Sequence, residues 1–203
     1  MASDVQICNL ALGMMGGGRI ATMDDASAEG RACKAIYSLL RDEIQEAHAW
    51  TFCKRRAILA RLDETPGYGY LYAYALPSDC LRVLEMQDDE YAMLDQSTAQ
   101  SVQVATFGKT WEVEGEKLLT DEEEVKILYI ARVEDPSKFS PSFVQAFAAR
   151  MSVDLAMIVA KSYKMADALR GVYDARMARM KTLNAQTDRT EPYQSTSYVS
   201  ERT

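Results

Sequence analysis

Histidine is nearly absent from this sequence: among its 203 residues, His48 is the only one. A metal site built from several histidines is therefore excluded. A catalytic histidine would need a nucleophile and an orienting acid, and the sequence locates neither for His48. We interpret His48 as a packing residue that also caps the C-terminal end of a helix, where a basic side chain interacts favourably with the helix dipole.

Closely spaced cysteines and long apolar runs are also missing. The four cysteines form no C-x-x-C pair, which is not zinc spacing and predicts free thiols in a reducing cytoplasm. They are Cys8, Cys33, Cys53 and Cys80, and Cys33 is interpreted as helix core rather than as a redox group. No apolar run approaches the ~20 residues that a membrane-spanning helix needs, and no signal-peptide pattern opens the chain. We therefore expect no membrane partner.

Basic residues do not outnumber acidic ones. The chain has 23 Lys and Arg against 30 Asp and Glu, which gives a net charge of -7. This balance argues against a general nucleic-acid or membrane-surface binder, because both favour excess Lys and Arg. It is compatible with an acidic surface that faces DNA, such as the wall of a channel. The length and the hydrophobic fraction of 48% are sufficient for one domain with a real core.

What the sequence does contain is apolar periodicity typical of helices. Residues 4–15 have helical spacing, with Ser3 as N-cap candidate, and three glycines from Gly16 onward end the pattern. A second pattern follows the N-cap candidate Ser27 and continues to about residue 47. Its apolar stripe is Ala32, Ile36, Leu39, Leu40, Ile44 and Ala47, and its polar side carries Arg41, Asp42, Glu43 and Glu46.

A third helical pattern begins at Ser140-Pro141 and continues to about Asn184. A single helix of this length would be about 66 Å long, so we expect either a break near residues 162–164 or a helix that projects into a neighbouring subunit. The stripe consists of Phe143, Phe147, Met151, Leu155, Ile158, Met165, Leu169, Val172 and Met180. It is interpreted as core rather than as a cofactor site.

Short strands are predicted between the second and third helical patterns. A basic strand begins at Lys54, and a second strand covers Cys80 to Met86. Four further strands are predicted at residues 101–107, 110–113, 117–119 and 125–133, with hairpin turns at Gly108-Lys109 and Gly115-Glu116. The acidic run 121–124 lacks the alternating geometry of a calcium loop and is interpreted as a solvated tip.

These elements predict an α+β fold that is mainly helical. It has a helical bundle body, an inserted small antiparallel β region and an extended C-terminal arm. We assign residues 1–62 and 139–185 to the body, 63–138 to the β-rich insertion and 186–203 to the arm. The arm has too few apolar residues to order itself, so it is either a disordered end or a segment that folds onto a partner.

Three groups of residues are candidates for structural or contact roles. His48, Trp50 and Phe52 form an aromatic corner that we expect to join the helical part to the β part. The strictly alternating Tyr68, Tyr70, Tyr72 and Tyr74 indicate one face of an extended segment, either packed or in a subunit contact. The further contact candidates are Arg55 and Arg56 on the basic strand and Tyr193 and Tyr198 on the arm.

No catalytic set, cofactor motif or metal cluster is recognised, so the residues favour an assembly part over an enzyme. Two alternatives stay open. Glu43 and Glu46 would supply the paired carboxylates of a cell-wall hydrolase, although their spacing of three residues on one helix favours a solvated helix face. Lys54, Arg55 and Arg56 would serve a module that binds DNA ends, with salt-sensitive affinity.

Several stretches together resemble one known family. They are Asn9-Leu10-Ala11-Leu12 before the glycine turn, then Ile20, Asp24-Asp25, Ser27, Cys33, Tyr37 and Arg41-Asp42, the His48-x-Trp50-x-Phe52 corner with Arg55 and Leu59-Ala60, and Tyr72-Ala73-Tyr74-Ala75-Leu76-Pro77-x-Asp79-Cys80-Leu81-Arg82-Val83. Residues 4–185 resemble the tail tubular protein A family, the head-to-tail adaptors of short-tailed bacteriophages. Ala49 stands where the family often has proline, and Gln45 where an aliphatic residue is common.

The resemblance implies a structural virion protein rather than an enzyme. Members of the family form a dodecameric ring below the portal, join the capsid to the tail nozzle and continue the channel through which DNA is ejected. The partners implied are further copies of the chain, the portal protein and the nozzle protein, with DNA passing without specific binding. An acidic lumen suits that passage, since it disfavours phosphate contacts.

Overall fold

The computed structural model describes residues 2–87 and 111–187 of the chain. The helices are α1 (Asp4–Met14), α2 (Ala28–Glu46), α3 (Pro141–Ile158) and α4 (Tyr163–Thr187). The strands are β1 (Lys54–Ile58), β2 (Tyr72–Ala75), β3 (Cys80–Gln87), β4 (Glu112–Glu114), β5 (Lys117–Thr120) and β6 (Lys126–Ala131). Within these residues the fold is α+β and mainly helical, as the sequence predicts.

Local sequence signals account for both ends of α1. The Ser3 hydroxyl accepts the Gln6 backbone N–H, and the Gln6 side chain returns to the Ser3 N–H, so a capping box begins the helix. The helix ends at the predicted glycines, where Gly16 has a φ of +71° and the Gly17 N–H bonds the Leu12 carbonyl. The predicted helix and both of its ends are therefore confirmed.

Helix α2 begins as predicted, but part of its predicted buried face is wrong. The Ser27 hydroxyl accepts the Gly30 backbone N–H at 3.0 Å and caps the helix. Leu39 is 71% exposed and Ala47 is also exposed, although both belong to the predicted apolar stripe. Arg41 and Gln45 are buried instead, because hydrogen bonds or ion pairs satisfy their polar groups.

The C-terminal helical pattern is broken where the sequence predicts. Helix α3 ends at Ile158, Lys161 has a φ of +49°, and the Ser162 hydroxyl accepts the Met165 N–H at the start of α4. The stripe prediction is wrong for Ile158 and Val172, which are 49% and 40% exposed. Helix α4 continues to Thr187, two residues into the predicted arm, and the rest of that arm lies outside the described residues.

The strands of the described residues form two antiparallel sheets, each of three strands. One sheet has the order β1-β6-β3 and the other has the order β2-β5-β4. The turn between β4 and β5 contains Gly115 with a φ of +61°, at the predicted hairpin. The predicted strand at 101–107 and the turn at 108–109 lie outside the described residues.

Both sheets contribute to one apolar cluster. Its buried members are Leu59, Tyr74, Leu118, Val125, Ile127, Tyr129 and Ala131. Tyr74 and Leu118 come from β2 and β5, while Ile127, Tyr129 and Ala131 alternate along β6. The two small sheets are therefore held together by a shared core.

The described chain divides into two compact units. One consists of residues 37–139, and the other of residues 2–36 together with the segment that begins at Ser140. The first boundary falls inside α2, whereas the sequence places it at residue 62. It differs because β1, which precedes residue 62, pairs with β6. In the second unit, α3 packs against α1 and α4.

Candidate structural sites and contact surfaces

The aromatic corner connects α2 to β1, and of its three residues only Trp50 is fully buried. Trp50 is 1% exposed, and its indole N–H donates to the Ile44 carbonyl in the last turns of α2 at 2.7 Å. The His48 ring lies edge-on to the Trp50 ring with centroids 4.3 Å apart. The Trp50 carbonyl accepts the N–H of Cys53, which starts the chain toward β1. The arrangement is a packed turn.

The third member of the corner is less deeply buried. Phe52 has intermediate exposure, and its ring centroid is 5.9 Å from that of Phe139. The two rings are tilted by 55°. Phe139 is the last residue of the unit 37–139, so this aromatic pair connects the segment just before β1 to the C-terminal end of that unit.

A polar connection beside this corner is absent from the sequence-based prediction. The buried Gln45 side chain donates to the Val133 carbonyl at 2.8 Å and accepts the Val133 N–H at 2.9 Å. Asp42 next to it bonds Arg41 at 2.8 Å and Arg132 at 3.0 Å. The sequence contains one sign of this connection, a glutamine beside Ile44 in an otherwise apolar stripe. It does not indicate the partner, because Val133 lies 88 residues away.

The tyrosine row is not one continuous strand face. Strand β2 begins only at Tyr72, and Gly69 with a φ of +87° interrupts the extended segment before it. Tyr68 is 92% exposed, whereas Tyr74 is 1% exposed. The predicted common face is wrong for this reason.

The four tyrosines consequently have different environments. Tyr74 lies in the shared core of the two sheets and donates its hydroxyl to the Glu122 carbonyl at 2.6 Å, so it has no surface to offer a partner. Tyr72 lies beneath the Arg61 guanidinium, which is 3.8 Å from the ring centroid. Tyr68 and the half-exposed Tyr70 line an open cleft of about 600 Å³ with Glu64, Glu112 and Lys117. Tyr68, which is 92% exposed, therefore remains a contact candidate.

The basic strand β1 lies at the edge of its sheet in the described part of the chain. The Arg55 guanidinium bonds the Asp79 carboxylate, which also accepts the Tyr129 hydroxyl at 3.1 Å. Burial, followed by the nearby Asp79 charge, raises the pKa of Tyr129. Arg56 is exposed on the same strand. Arg55 therefore has a structural partner, and Arg56 remains a contact candidate. Tyr193 and Tyr198 lie outside the described residues.

The acidic residues considered for chemistry lie in structural or exposed positions. Glu43 and Glu46 are both exposed on α2. In the acidic run, the Asp121 carboxylate accepts the Leu71 N–H at 2.9 Å, and the Glu122 carbonyl accepts the Tyr74 hydroxyl. Within residues 2–87 and 111–187, no group of three or more His, Cys, Asp and Glu is arranged to hold a metal ion.

A second structural site lies between α1 and α2. The Asn9 side-chain amide donates to the Ile20 carbonyl at 2.9 Å and accepts the Ile20 N–H at 2.8 Å. The Asp25 carboxylate accepts the N–H groups of Ser27 at 2.9 Å and Ala21 at 3.2 Å. The hydrogen bonds from Ser27 and then Ala21 lower the pKa of Asp25. These bonds fix the segment that enters α2.

Comparison of the chain with protein-family models and with curated proteins gives no match to either. In the part of the chain that the structure describes, the helices are too short or too polar to cross a membrane.

Proposed function

We propose that this chain is a structural head-to-tail adaptor of a short-tailed bacteriophage. It assembles with further copies of itself into a ring, a dodecamer in the family that it resembles. The ring lies in the virion between the portal and the tail nozzle and continues the DNA ejection channel. In this role the chain is not an enzyme and needs no cofactor. The resemblance of residues 4–185 to the tail tubular protein A family carries the proposal.

The structural positions of the resembling residues support this proposal. Asn9 and Asp25 fix the segment before α2, Trp50 closes the end of α2, and Asp79 connects Arg55 to Tyr129. Each of these side chains bonds a group that belongs to the fold itself. Residues that are used in this way suit a family whose members share an architecture rather than a reaction.

The charge of the chain supports passage of DNA without binding. A net charge of -7 repels phosphates, so a channel lined by such subunits disfavours tight contact with DNA. The exposed Tyr68 and Arg56 are suited to contacts with neighbouring subunits or with the portal, because Tyr and Arg are enriched at protein interfaces. Tyr74 is not part of this proposal, since it is buried.

The experiment that tests the function is reconstitution with portal rings of the phage that carries this chain. We expect electron microscopy of the mixture to show an added ring of density on the tail side of each portal. Portal rings that remain unchanged at micromolar concentrations of a folded chain would contradict the adaptor proposal.

The predicted arm gives a second test of the same function. Truncation after Thr187 removes the residues beyond α4, and we expect the remaining chain to keep its circular dichroism spectrum but to lose attachment to the portal. Truncation after residue 200 serves as the matched control. Unchanged portal affinity of the shorter chain would show that the arm does not bind the portal. It would not contradict ring formation, which the reconstitution experiment tests separately.

A further inference from the structure

Three sulfur atoms from three separate segments meet in the unit that contains residues 2–36. They belong to Cys8 on α1, Met23 in the segment between α1 and α2, and Cys33 on α2, and we call them the sulfur cluster. The Cys8 Sγ lies 3.7 Å from the Met23 Sδ. The Cys8 and Cys33 thiols are close enough to share a hydrogen bond. Both cysteines are fully buried, with 0% exposure.

The segment that carries Met23 is held in place on both sides. Asn9, the residue after Cys8, clamps Ile20 with two hydrogen bonds, and Asp25 closes the turn into α2. Gly30 lies so close to this turn that an added Cβ would be 2.4 Å from the Asp25 carbonyl oxygen. The position of Met23 opposite Cys8 is therefore a consequence of a constrained segment, which is the preorganisation that a metal site requires.

The spacing and chemistry of these atoms fit a small, soft cation. Three sulfur ligands about 2.3 Å from one metal ion in a trigonal arrangement lie about 4 Å from one another. The observed 3.7 Å between Cys8 and Met23 is close to that separation. Thiolate and thioether ligands favour Cu(I), Zn²⁺ and iron–sulfur clusters among the first-row metals. Zn²⁺ and the clusters require four protein ligands in their usual sites, whereas Cu(I) is satisfied by three sulfurs. We propose that Cys8, Cys33 and Met23 form a binding site for one monovalent soft metal ion, with Cu(I) as the matching species.

Binding at this site is an exchange of protons for the metal ion. Two S–H bonds are broken, two metal–sulfur bonds form with the Cys8 and Cys33 sulfurs, both protons pass to water, and no oxidation state changes. Metal affinity consequently rises with pH, because protons compete for the ligands.

The surroundings of the sulfur cluster favour a cation and provide a route to it. The carboxylates of Asp4 and Glu29 are near enough to act electrostatically on Cys8 and Cys33, respectively. Met23 is part-exposed and is flanked by the exposed Thr22 and Asp24, whereas both thiols are closed to solvent. The ion therefore enters past the thioether, which is its first ligand. Once bound, it connects α1, the intervening segment and α2.

The test is an anaerobic titration of the reduced full-length chain with Cu(I) against a chromogenic Cu(I) chelator. We expect one tightly bound ion per chain. The variants Cys8→Ser and Cys33→Ser lose this binding. Met23→Leu weakens it by at least about tenfold, the loss that even outer-shell substitutions at metal sites cause. Cys53→Ser and Cys80→Ser are the matched controls, because they remove thiols of the other unit and leave the stoichiometry at one.

Folding is verified for each variant by circular dichroism, and Met23→Leu alone decides the outcome where a buried cysteine variant does not fold. Absence of tight binding by the wild-type chain overturns the proposal, as does one ion still held by the Cys8→Ser or Cys33→Ser variant. Two thiols that are still missing after the copper has been removed by excess chelator from the unfolded chain would instead indicate a disulfide, and this result also overturns the proposal. Unaltered affinity in Met23→Leu removes Met23 from the site and contradicts the three-sulfur arrangement.

Discussion

At the scale of single residues, Gln45 shows how a polar side chain becomes part of a core. Its amide satisfies both backbone groups of Val133 and is itself 0% exposed. The family that the chain resembles often has an aliphatic residue at this position. With an aliphatic side chain at this position, the backbone N–H and carbonyl of Val133 would need other hydrogen-bond partners. Each such group left buried and unpaired costs about 1–3 kcal/mol.

Gln45→Leu therefore has a predictable cost. The substitution leaves the buried N–H and carbonyl of Val133 without their partner, and we expect the free energy of unfolding to fall by about 2–4 kcal/mol. Urea denaturation followed by tryptophan fluorescence measures the change. The exposed neighbour gives the control, since Glu46→Leu is expected to alter stability by less than about 0.5 kcal/mol. Equal stability of the two variants would contradict the structural role of Gln45.

Trp50 is the second residue with a large expected effect. Trp50→Ala removes a fully buried ring and the indole bond to the Ile44 carbonyl, so we expect a loss of about 3–5 kcal/mol in the free energy of unfolding. Denaturant unfolding followed by circular dichroism is the appropriate measurement, because the variant lacks the main fluorophore of this region. Tyr68→Ala, at a 92% exposed ring, is the control with little expected change. A Trp50→Ala protein as stable as this control would show that the corner does not hold α2 to β1.

At the scale of elements, two helical glycines occupy opposite environments. Gly30 lies in the first turn of α2, where an added Cβ would be 2.4 Å from the Asp25 carbonyl oxygen. Gly171 lies in the middle of α4, and apart from its own helix backbone no described part of the chain comes within 4 Å of the corresponding position. Both are glycines within helices, and the sequence alone does not distinguish them.

A change from glycine to alanine should consequently have opposite effects on the stability of the protein at these two positions. We expect Gly171→Ala to stabilise the protein by about 0.5–1 kcal/mol, because alanine has the better helix propensity. We expect Gly30→Ala to destabilise it, since the backbone of the preceding turn must move away from the new methyl group. Melting temperatures of the two variants, compared with that of the wild-type chain, test the pair. A stabilised Gly30→Ala protein would show that the turn adapts without cost.

The contact between β2 and the acidic turn is expected to depend on pH. Burial raises the pKa of Tyr74 above its ordinary value of 10.0, and its hydroxyl donates to the Glu122 carbonyl. A raised folded-state pKa means that this contribution is present below pH 10 and is lost as the pH rises through the folded-state value. The wild-type chain should therefore lose part of its stability under alkaline conditions.

Tyr74→Phe isolates this contribution. At pH 8 we expect the variant to be less stable than the wild-type chain by about 1 kcal/mol, because one hydrogen bond is lost. The difference should become smaller as the pH is raised to 11, since only the wild-type chain loses stability through Tyr74 ionisation. Thermal melts across this pH range provide the measurement, with the exposed Tyr68→Phe as control. A difference that stays constant with pH would contradict the assignment.

At the scale of the whole molecule, net charge separates the adaptor from the DNA-end-binding alternative. The chain has a charge of -7, and Arg55 on its basic strand is already paired with Asp79. We expect no shift in DNA mobility with the purified chain even at low salt, where electrostatic binding would be strongest. The Arg56→Glu variant should behave in the same way. A salt-sensitive shift that Arg56→Glu abolishes would favour a DNA-binding role for β1 instead.

Local interactions explain how much of the fold is predictable from the sequence. The caps at Ser3, Ser27 and Ser140, the glycine end of α1 and the break before α4 involve groups within about six residues of each other. The strands and the hairpin at Gly115 are likewise marked by residue type and short spacing. These elements, and with them the α+β class, were therefore determined by the sequence itself.

Tertiary structure alone decided which faces and side chains those elements bury. Gln45 meets Val133 across 88 residues, and Asp42 meets Arg132 across 90, so neither pairing leaves a local signal. The sequence likewise gives no local sign that Leu39 is exposed, that Tyr74 is buried or that Cys8 contacts Met23. Periodicity reports that a helix or strand has an apolar side, but which residues are buried depends on the surface against which that element packs.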